Sequence, residues 1–183
     1  METFHTASPE TLSDDQLLSG RDQVIQQISW ARQYTLQLIA SIPRELWYVR
    51  PTGATTHVAW QVGHLAVSQY GLMLFRQRGR TAGDLELMPG WLRKQFGRGT
   101  QPAETAEGQP ESEELLTRLA AIHTQSLEEV AQLSAATLRE PIDMPYAAYP
   151  IKLGALLFCP IHEALHAGQI GLLRRLHGLD PVR

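Results

Sequence analysis

The sequence predicts an all-α protein built as a four-helix bundle. Four long stretches repeat apolar residues at helical spacing, and no stretch alternates apolar and polar residues convincingly as a strand would. Long loops rich in proline or glycine separate helices 2 and 3, and helices 3 and 4. A chain of 183 residues that is 43% apolar can bury one core. We therefore expect a single domain over residues 1–183, with residues 1–12 as a flexible tail.

The first helix is predicted to begin after Ser13. Ser13 and Gln16 have the spacing of a capping box, in which each side chain accepts a hydrogen bond from the other residue's backbone amide. Apolar residues then recur at helical spacing as far as Ile39. Pro43 ends the pattern, because proline cannot continue a helix.

The second helix is predicted to open near Thr55 or Thr56 and to end at about Arg78, before Gly79. The residues expected on its inward face are His57, Trp60, His64, Val67, Gly71 and Phe75.

The connection that follows, residues 79–110, is rich in glycine, proline and threonine. It is long for a loop in a compact domain, which favours a functional loop, a lid or a mobile segment. The run Met88–Trp91 within it can add a short helical turn.

The third helix is predicted to start at Pro110, because proline suits the first turn of a helix. Glu111, Glu113 and Glu114 match the positive end of its dipole. After a proline-containing connection, residues 135–150, the last helix is predicted between about 153 and 177. The residues that define this last helix are Leu153 and His177 at its ends, Pro160 as an internal kink and Gly178 as its stop.

Composition excludes several classes of protein. The formal net charge is −3, and no long basic cluster marks a nucleic-acid surface. No apolar run is long enough to span a bilayer, and the N-terminal segment lacks the apolar core of a signal peptide. Cys159 is the only cysteine, so an intrachain disulfide is impossible. These observations favour a cytoplasmic protein without nucleic-acid or membrane partners.

Two histidines of the last helix have the spacing of metal ligands. His162 and His166 are four residues apart, so they lie on one helix face. The residues predicted to share that inward face are Ala155, Phe158, Leu165, Gln169, Leu173 and Leu176. Two adjacent imidazoles in a core cannot both be charged, and a shared divalent cation would satisfy both. His64 is the best candidate for the third ligand because it lies within an apolar stripe of the second helix. His57, on the same stripe, is the alternative candidate. The remaining histidines are expected to be non-functional: His5 in the tail, His123 on an exposed face and His177 at a helix end.

Other residues can complete such a site. Three histidines leave coordination positions open for water or substrate, as in catalytic metal sites. Gln169 is predicted on the inward face, where it can orient a ligand or substrate, and Trp60 would form a wall. Glu163 is either a supporting or acid–base group or, since it is rotated by about 100° from His162, a residue of the outer face. Cys159 can reach the site but more commonly would be a small buried residue.

The run His162–His166 reads H-E-x-x-H, the pattern of zinc proteases. The extended form of that pattern needs a glycine and a third histidine, but Gln169 and Leu172 occupy those positions. Another type of zinc protease uses a glutamate further along the chain as its third zinc ligand, and no glutamate follows His166 in this sequence. A zinc protease is therefore not expected.

Two motifs resemble those of the DinB/YfiT-like metalloenzymes. The run HEALHAGQIGLLRR, residues 162–175, is similar to the signature of their last helix, and WQVGHLA, residues 60–66, is similar to the motif that carries a single histidine ligand. The resemblance implies a bundle that is frequently dimeric, with a divalent metal on His64, His162 and His166. The superfamily includes thiol S-transferases, thiol-dependent isomerases and sulfoxide synthases; the last group carries a glutamate where this chain has Gly168.

Three functions remain open at this point. The first is a metal-dependent transferase in which zinc, nickel or iron stabilises a low-molecular-weight thiolate that attacks a small electrophile. The second is a metal-dependent hydrolase of a small ester or amide, assisted by Glu163 or Gln169. The third is a metal-binding stress protein without catalysis. We expect an enzyme, a small-molecule substrate and a homodimer.

Overall fold

The computed structural model describes residues 11–144 and 147–182, so the predicted tail lies almost wholly outside the described residues. Four long helices form the bundle, and the described residues contain no β-strand, only an isolated bridge between Pro141 and Ile151. The helices are α1 (Asp14–Ala40), α2 (Val58–Gln69), α3 (Arg76–Arg78), α4 (Asp84–Leu87), α5 (Gly90–Phe96), α6 (Ser112–Ala131), α7 (Ala135–Leu138) and α8 (Lys152–Leu176). The all-α, four-helix prediction is confirmed.

Helix α1 begins with the predicted capping box. The Ser13 hydroxyl accepts a bond from the Gln16 amide at 3.2 Å, and the Gln16 side chain accepts one from the Ser13 amide at 2.8 Å. The helix then packs chiefly against α8, while α2 packs chiefly against α6 and also borders α5 and α8. This arrangement places α2 and α8 side by side.

Helix α2 begins later than predicted, and its far end turns differently. Its N-cap is His57, whose Nδ1 accepts a bond from the amide of Trp60 at 3.1 Å, so the helix starts at Val58 and not near Thr55 or Thr56. A π-helical turn, Tyr70–Phe75, then joins α2 to α3.

The π-helical turn corrects the predicted inward face of the second helix. A π-turn adds a residue, which rotates every following side chain by about 100°. Phe75, predicted inward, is therefore 49% exposed, whereas Leu72, Met73 and Leu74 are buried.

The connection at residues 79–110 is folded onto the bundle. It contains α4 and α5, which confirms the predicted helical turn near Met88–Trp91, and Met88, Leu92 and Phe96 are buried in the core. Its first part is held by the Arg78 guanidinium, which bonds the carboxylates of Asp84 and Glu129. Helix α5, in its second part, packs against α2 and brings Phe96 next to Gly63 and His64.

The last two long helices follow the prediction closely in extent. Helix α6 starts two residues after Pro110, and the short α7 in the next connection was not predicted. Helix α8 contains Pro160 and ends just before Gly178, whose φ of 76° suits glycine. The predicted inward face of α8 is wrong in part, because Leu165 is 60% and Leu176 is 45% exposed.

The apolar core has two parts separated by a polar layer. One part includes Trp47, Leu65 and Phe96, and the other includes Leu17 and Leu156. The residues of the polar layer, one from each long helix, are Arg32 on α1, Gln69 on α2, His123 on α6 and Glu163 on α8. In the part of the chain that the structure describes, no helix has both the length and the apolar character needed to cross a bilayer.

Candidate metal centre

Three imidazoles meet where α2 passes α8. His64 on α2 and His162 and His166 on α8 each offer a nitrogen, and these nitrogens lie within 4.8 Å of one another. The ring centroids are 5.3 Å apart for His64 and His162, 4.8 Å for His64 and His166, and 4.4 Å for the α8 pair. The structure thus brings together the three histidines that the sequence singled out.

The separation of these nitrogens is close to what a metal requires. A tetrahedral zinc ion with Zn–N bonds of about 2.0–2.1 Å holds its nitrogen ligands roughly 3.4 Å apart. The three histidine nitrogens, which all lie within 4.8 Å of one another, are near that separation. Neutral imidazoles also suit zinc, nickel and iron, so the donor set fits a divalent metal.

The environment keeps all three imidazoles unprotonated at neutral pH. Burial lowers the pKa of His64. Burial, and secondarily the neighbouring His64, lowers the pKa of His162 to about 4. Burial, followed by the proximity of His162 and His64, lowers the pKa of His166 to about 3. Their lone pairs are therefore available for a cation at physiological pH.

Hydrogen bonds orient two of the three rings. The Nδ1–H of His64 donates to the main-chain carbonyl of Phe96 at 2.8 Å, and the Nδ1–H of His166 donates to Oε1 of Gln61 at 2.5 Å. Each bond leaves Nε2 without a proton, which is the form that binds a metal. The hydroxyl of Ser68 lies 3.3 Å from Nε2 of His64.

Aromatic side chains border the centre. Trp60 stacks on His64 with ring centroids 4.6 Å apart and an interplanar angle of 8°, which confirms its predicted position as a wall. The indole N–H of Trp60 donates to the hydroxyl of Thr100 at 3.0 Å, and Thr100 in turn donates to the carbonyl of Gly97. The connection at residues 79–110 therefore holds the wall in place.

The structure decides whether Gln169 and Glu163 are exposed or buried. Gln169 is exposed and not on the inward face, although it remains within hydrogen-bonding distance of His166. Glu163 is 1% exposed, which excludes the outer-face alternative and leaves the alternative of a buried supporting group. The prediction for Gln169 is therefore wrong, whereas one of the two alternatives for Glu163 remains.

The carboxylate of Glu163 is part of the polar layer. It accepts bonds from Nε and Nη2 of Arg32 at 2.8 and 3.0 Å. The same guanidinium donates to Oε1 of Gln69 at 2.9 Å and to the carbonyl of Leu119 at 3.1 Å. The amide of Gln69 then contacts Nδ1 of His123 at 3.0 Å. Sequence reasoning missed this network, although a charged residue at position 32, within the apolar pattern of α1, was a usable signal.

The remaining candidate ligands lie outside the centre. His57 is fully buried and serves as the cap of α2. Cys159 is buried among apolar residues, as its alternative interpretation predicted, and burial raises the pKa of its thiol. His123 is half-buried in the polar layer and not exposed, and His5 lies outside the described residues.

Comparison with known proteins agrees with this geometry. No curated protein matches the sequence significantly. The model of the DinB superfamily matches residues 27–170, which is more than three quarters of the chain and includes all three histidines. The chain therefore belongs to the DinB superfamily.

Proposed function

We propose that this protein binds a divalent metal through His64, His162 and His166 and that it is a metal-dependent transferase. Its substrates are a low-molecular-weight thiol and a small electrophile. The observation that carries the proposal is the convergence of three unprotonated imidazoles within 4.8 Å of one another. Imidazole ligands and open positions are typical of catalytic metal sites.

The charge of the ligand set favours an anionic substrate group. Three neutral imidazoles leave the full charge of a divalent cation uncompensated, and the described residues add no carboxylate to the group. When bound, such a cation acts as a Lewis acid that lowers the pKa of a thiol. A thiolate is the anion that fits this charge and reacts with electrophiles near neutral pH.

The protein itself offers no thiol nucleophile to the substrate. Cys159 is the only cysteine of the chain, its side chain is buried, and burial raises the pKa of its thiol. A buried thiol with a raised pKa is unreactive. A thiol nucleophile must therefore arrive as a second substrate, as it does in the proposed transferase.

The position of Glu163 argues against hydrolysis as the main reaction. A general base must reach the proton that it removes, within hydrogen-bonding distance or through one water. Both oxygens of Glu163 accept bonds from Arg32 inside the polar layer. Gln169, exposed beside His166, is an amide and cannot act as a base, so we assign it a role in substrate contact.

Metal analysis and a thiol-dependence assay test the proposal. The protein is purified and its zinc, nickel and iron contents are measured. Consumption of a small aromatic electrophile is then followed with and without added thiols. We expect one metal per chain and turnover that requires thiol. His64→Ala should abolish both, whereas His177→Ala, a matched change at the end of α8, should leave both unchanged.

Each other outcome contradicts part of the proposal. Turnover without thiol would indicate the hydrolase. Metal binding without any turnover would leave only the metal-binding function. If the protein binds none of the three metals, the proposal is wrong.

A further inference from the structure

We infer that Gln61 is a positioning residue of the metal centre, because it holds His166 in the tautomer whose Nε2 is free to bind a cation. This inference rests on the proposed metal binding. It concerns a residue that the sequence did not single out. Its side chain is 1% exposed and bridges α2 to α8.

In the structure, the side-chain amide of Gln61 directs its oxygen to His166 and its nitrogen to Thr56. Its Nε2–H donates to the hydroxyl of Thr56 at 3.1 Å, and its Oε1 accepts from Nδ1–H of His166 at 2.5 Å. An imidazole that is neutral carries one ring proton, so a proton held on Nδ1 leaves a lone pair on Nε2.

The opposite orientation of the amide would block the site. The hydroxyl of Thr56 can donate or accept, so it tolerates either orientation. If the amide of Gln61 were reversed, its N–H would face Nδ1 of His166, and the ring proton would move to Nε2. That proton would lie where the metal must bind. The orientation of one amide therefore decides whether His166 can act as a ligand.

The three ligands differ in what holds them. His64 is oriented by the main-chain carbonyl of Phe96, which no side-chain substitution removes. For His162, no hydrogen bond to either ring nitrogen occurs among residues 11–144 and 147–182. Gln61 is thus the side chain whose substitution removes the hydrogen bond that keeps a proton on Nδ1 of His166. Partners of this kind typically change metal affinity about 10–100-fold when they are removed.

Three variants of the 183-residue chain test the inference. Gln61→Leu removes the acceptor and nearly keeps the volume. Gln61→Glu keeps an acceptor and has no N–H that could face Nδ1. Gln77→Leu is the matched control, because Gln77 is also a buried glutamine on the same helical stretch, and it bonds the carbonyl of Leu72.

Two measurements are made on each protein. Zinc affinity is determined at pH 7.5 by competition with a chromophoric chelator. Long-range ¹H–¹⁵N spectra of the metal-free protein report which nitrogen of His166 carries the proton. We expect the Nδ1–H tautomer in the unsubstituted protein and in Gln77→Leu. Gln61→Leu should populate the Nε2–H tautomer and bind zinc about 10–100-fold more weakly, and Gln61→Glu should retain the affinity.

The outcomes separate this inference from the proposed function. An Nε2–H tautomer of His166 in the unsubstituted, metal-free protein overturns the inference without any variant, even if Gln61→Leu fails to fold. Unchanged affinity in Gln61→Leu also overturns it, while zinc binding itself would stand. If zinc does not bind but Gln61→Leu shifts the tautomer, metal binding is wrong and the orienting contact is confirmed.

Discussion

Helix α8 contributes to two neighbouring polar clusters, the polar layer and the histidine centre. They differ in whether their buried polar atoms are paired with one another. In the polar layer, the Glu163 carboxylate is matched by the Arg32 guanidinium, and Gln69 and His123 complete the bonding. At the histidine centre, unprotonated nitrogens of three imidazoles converge, and the Ser68 hydroxyl, 3.3 Å from Nε2 of His64, is a hydrogen-bond partner found there among the described residues. Buried polar groups that hydrogen-bond to one another stabilise the fold by themselves. Converging lone pairs, in contrast, need a bound cation to compensate for their burial.

The largest expected effect comes from breaking the polar layer. Glu163→Ala leaves the Arg32 guanidinium buried without its carboxylate, because both side chains are almost fully buried. Removing one partner of such a pair costs about 3–5 kcal/mol, so we expect that loss in the free energy of unfolding, measured by urea denaturation. The double variant Arg32→Met/Glu163→Met should recover most of it. A loss below about 1 kcal/mol, the value typical of an exposed pair, would contradict the assignment.

The histidine centre should respond to metal instead. A metal that binds only the folded state stabilises it by about 2.7 kcal/mol when its concentration is 100 times the dissociation constant. We expect this gain in the zinc-loaded protein and none in His162→Ala/His166→Ala, by urea denaturation with and without zinc. Equal stabilisation of both proteins by zinc would place the metal elsewhere.

The next largest effect links α5 to the centre through Gly63. A Cβ atom at this position would lie 2.4–2.8 Å from ring atoms of Phe96, so Gly63→Ala must displace Phe96, whose carbonyl orients His64. Overpacking costs about 1–3 kcal/mol, and we also expect weaker zinc binding in the chelator assay. Gly71→Ala is the control, because the nearest atom to a Cβ there is the flexible tip of Arg76 at 3.8 Å. This variant should lower neither the free energy of unfolding nor the zinc affinity.

The smallest expected effect is that of mild acid on metal affinity. Protons compete for an imidazole only near and below its pKa, and the pKa values of His162 and His166 are lowered to about 4 and about 3. Proton competition at these two histidines should therefore be small between pH 7.5 and 5.5 and should weaken zinc binding near and below about pH 4, and the lowered pKa of His64 acts in the same direction. Ordinary histidines, with a pKa of about 6.5, would already lose affinity in the first interval. Chelator competition across this range distinguishes the two.

Local sequence patterns correctly predicted several helix ends and the pairing of two histidines on α8. The capping box at Ser13 and the stop at Gly178 depend on neighbours within a few residues, so they can be read directly from the sequence. The spacing of His162 and His166 likewise places two ligands together whatever surrounds them. The start of the second helix was missed because a histidine, which is an uncommon cap, occupies the N-cap position.

Contacts between distant segments could not be read in this way. The Gln61–His166 bond spans 105 residues, and the Arg32–Glu163 bond spans 131. Both depend on the rotation of α2 and α8 against their neighbours. Helical periodicity placed Leu165 inward because it is apolar, and Gln169 inward because it lies one turn after His166. The actual rotation of α8 directs Glu163 into the polar layer and Leu165 to solvent.

The sequence by itself determined the helical class, the limits of most helices and the three candidate ligands, because these follow from spacing within one or two turns. Only the tertiary structure decided that His64 faces the other two histidines, that Gln61 and the carbonyl of Phe96 orient the rings, and that Glu163 pairs with Arg32. Hydrogen bonds depend on distance and angle to within fractions of an ångström, and packing alone sets these between segments far apart in the chain.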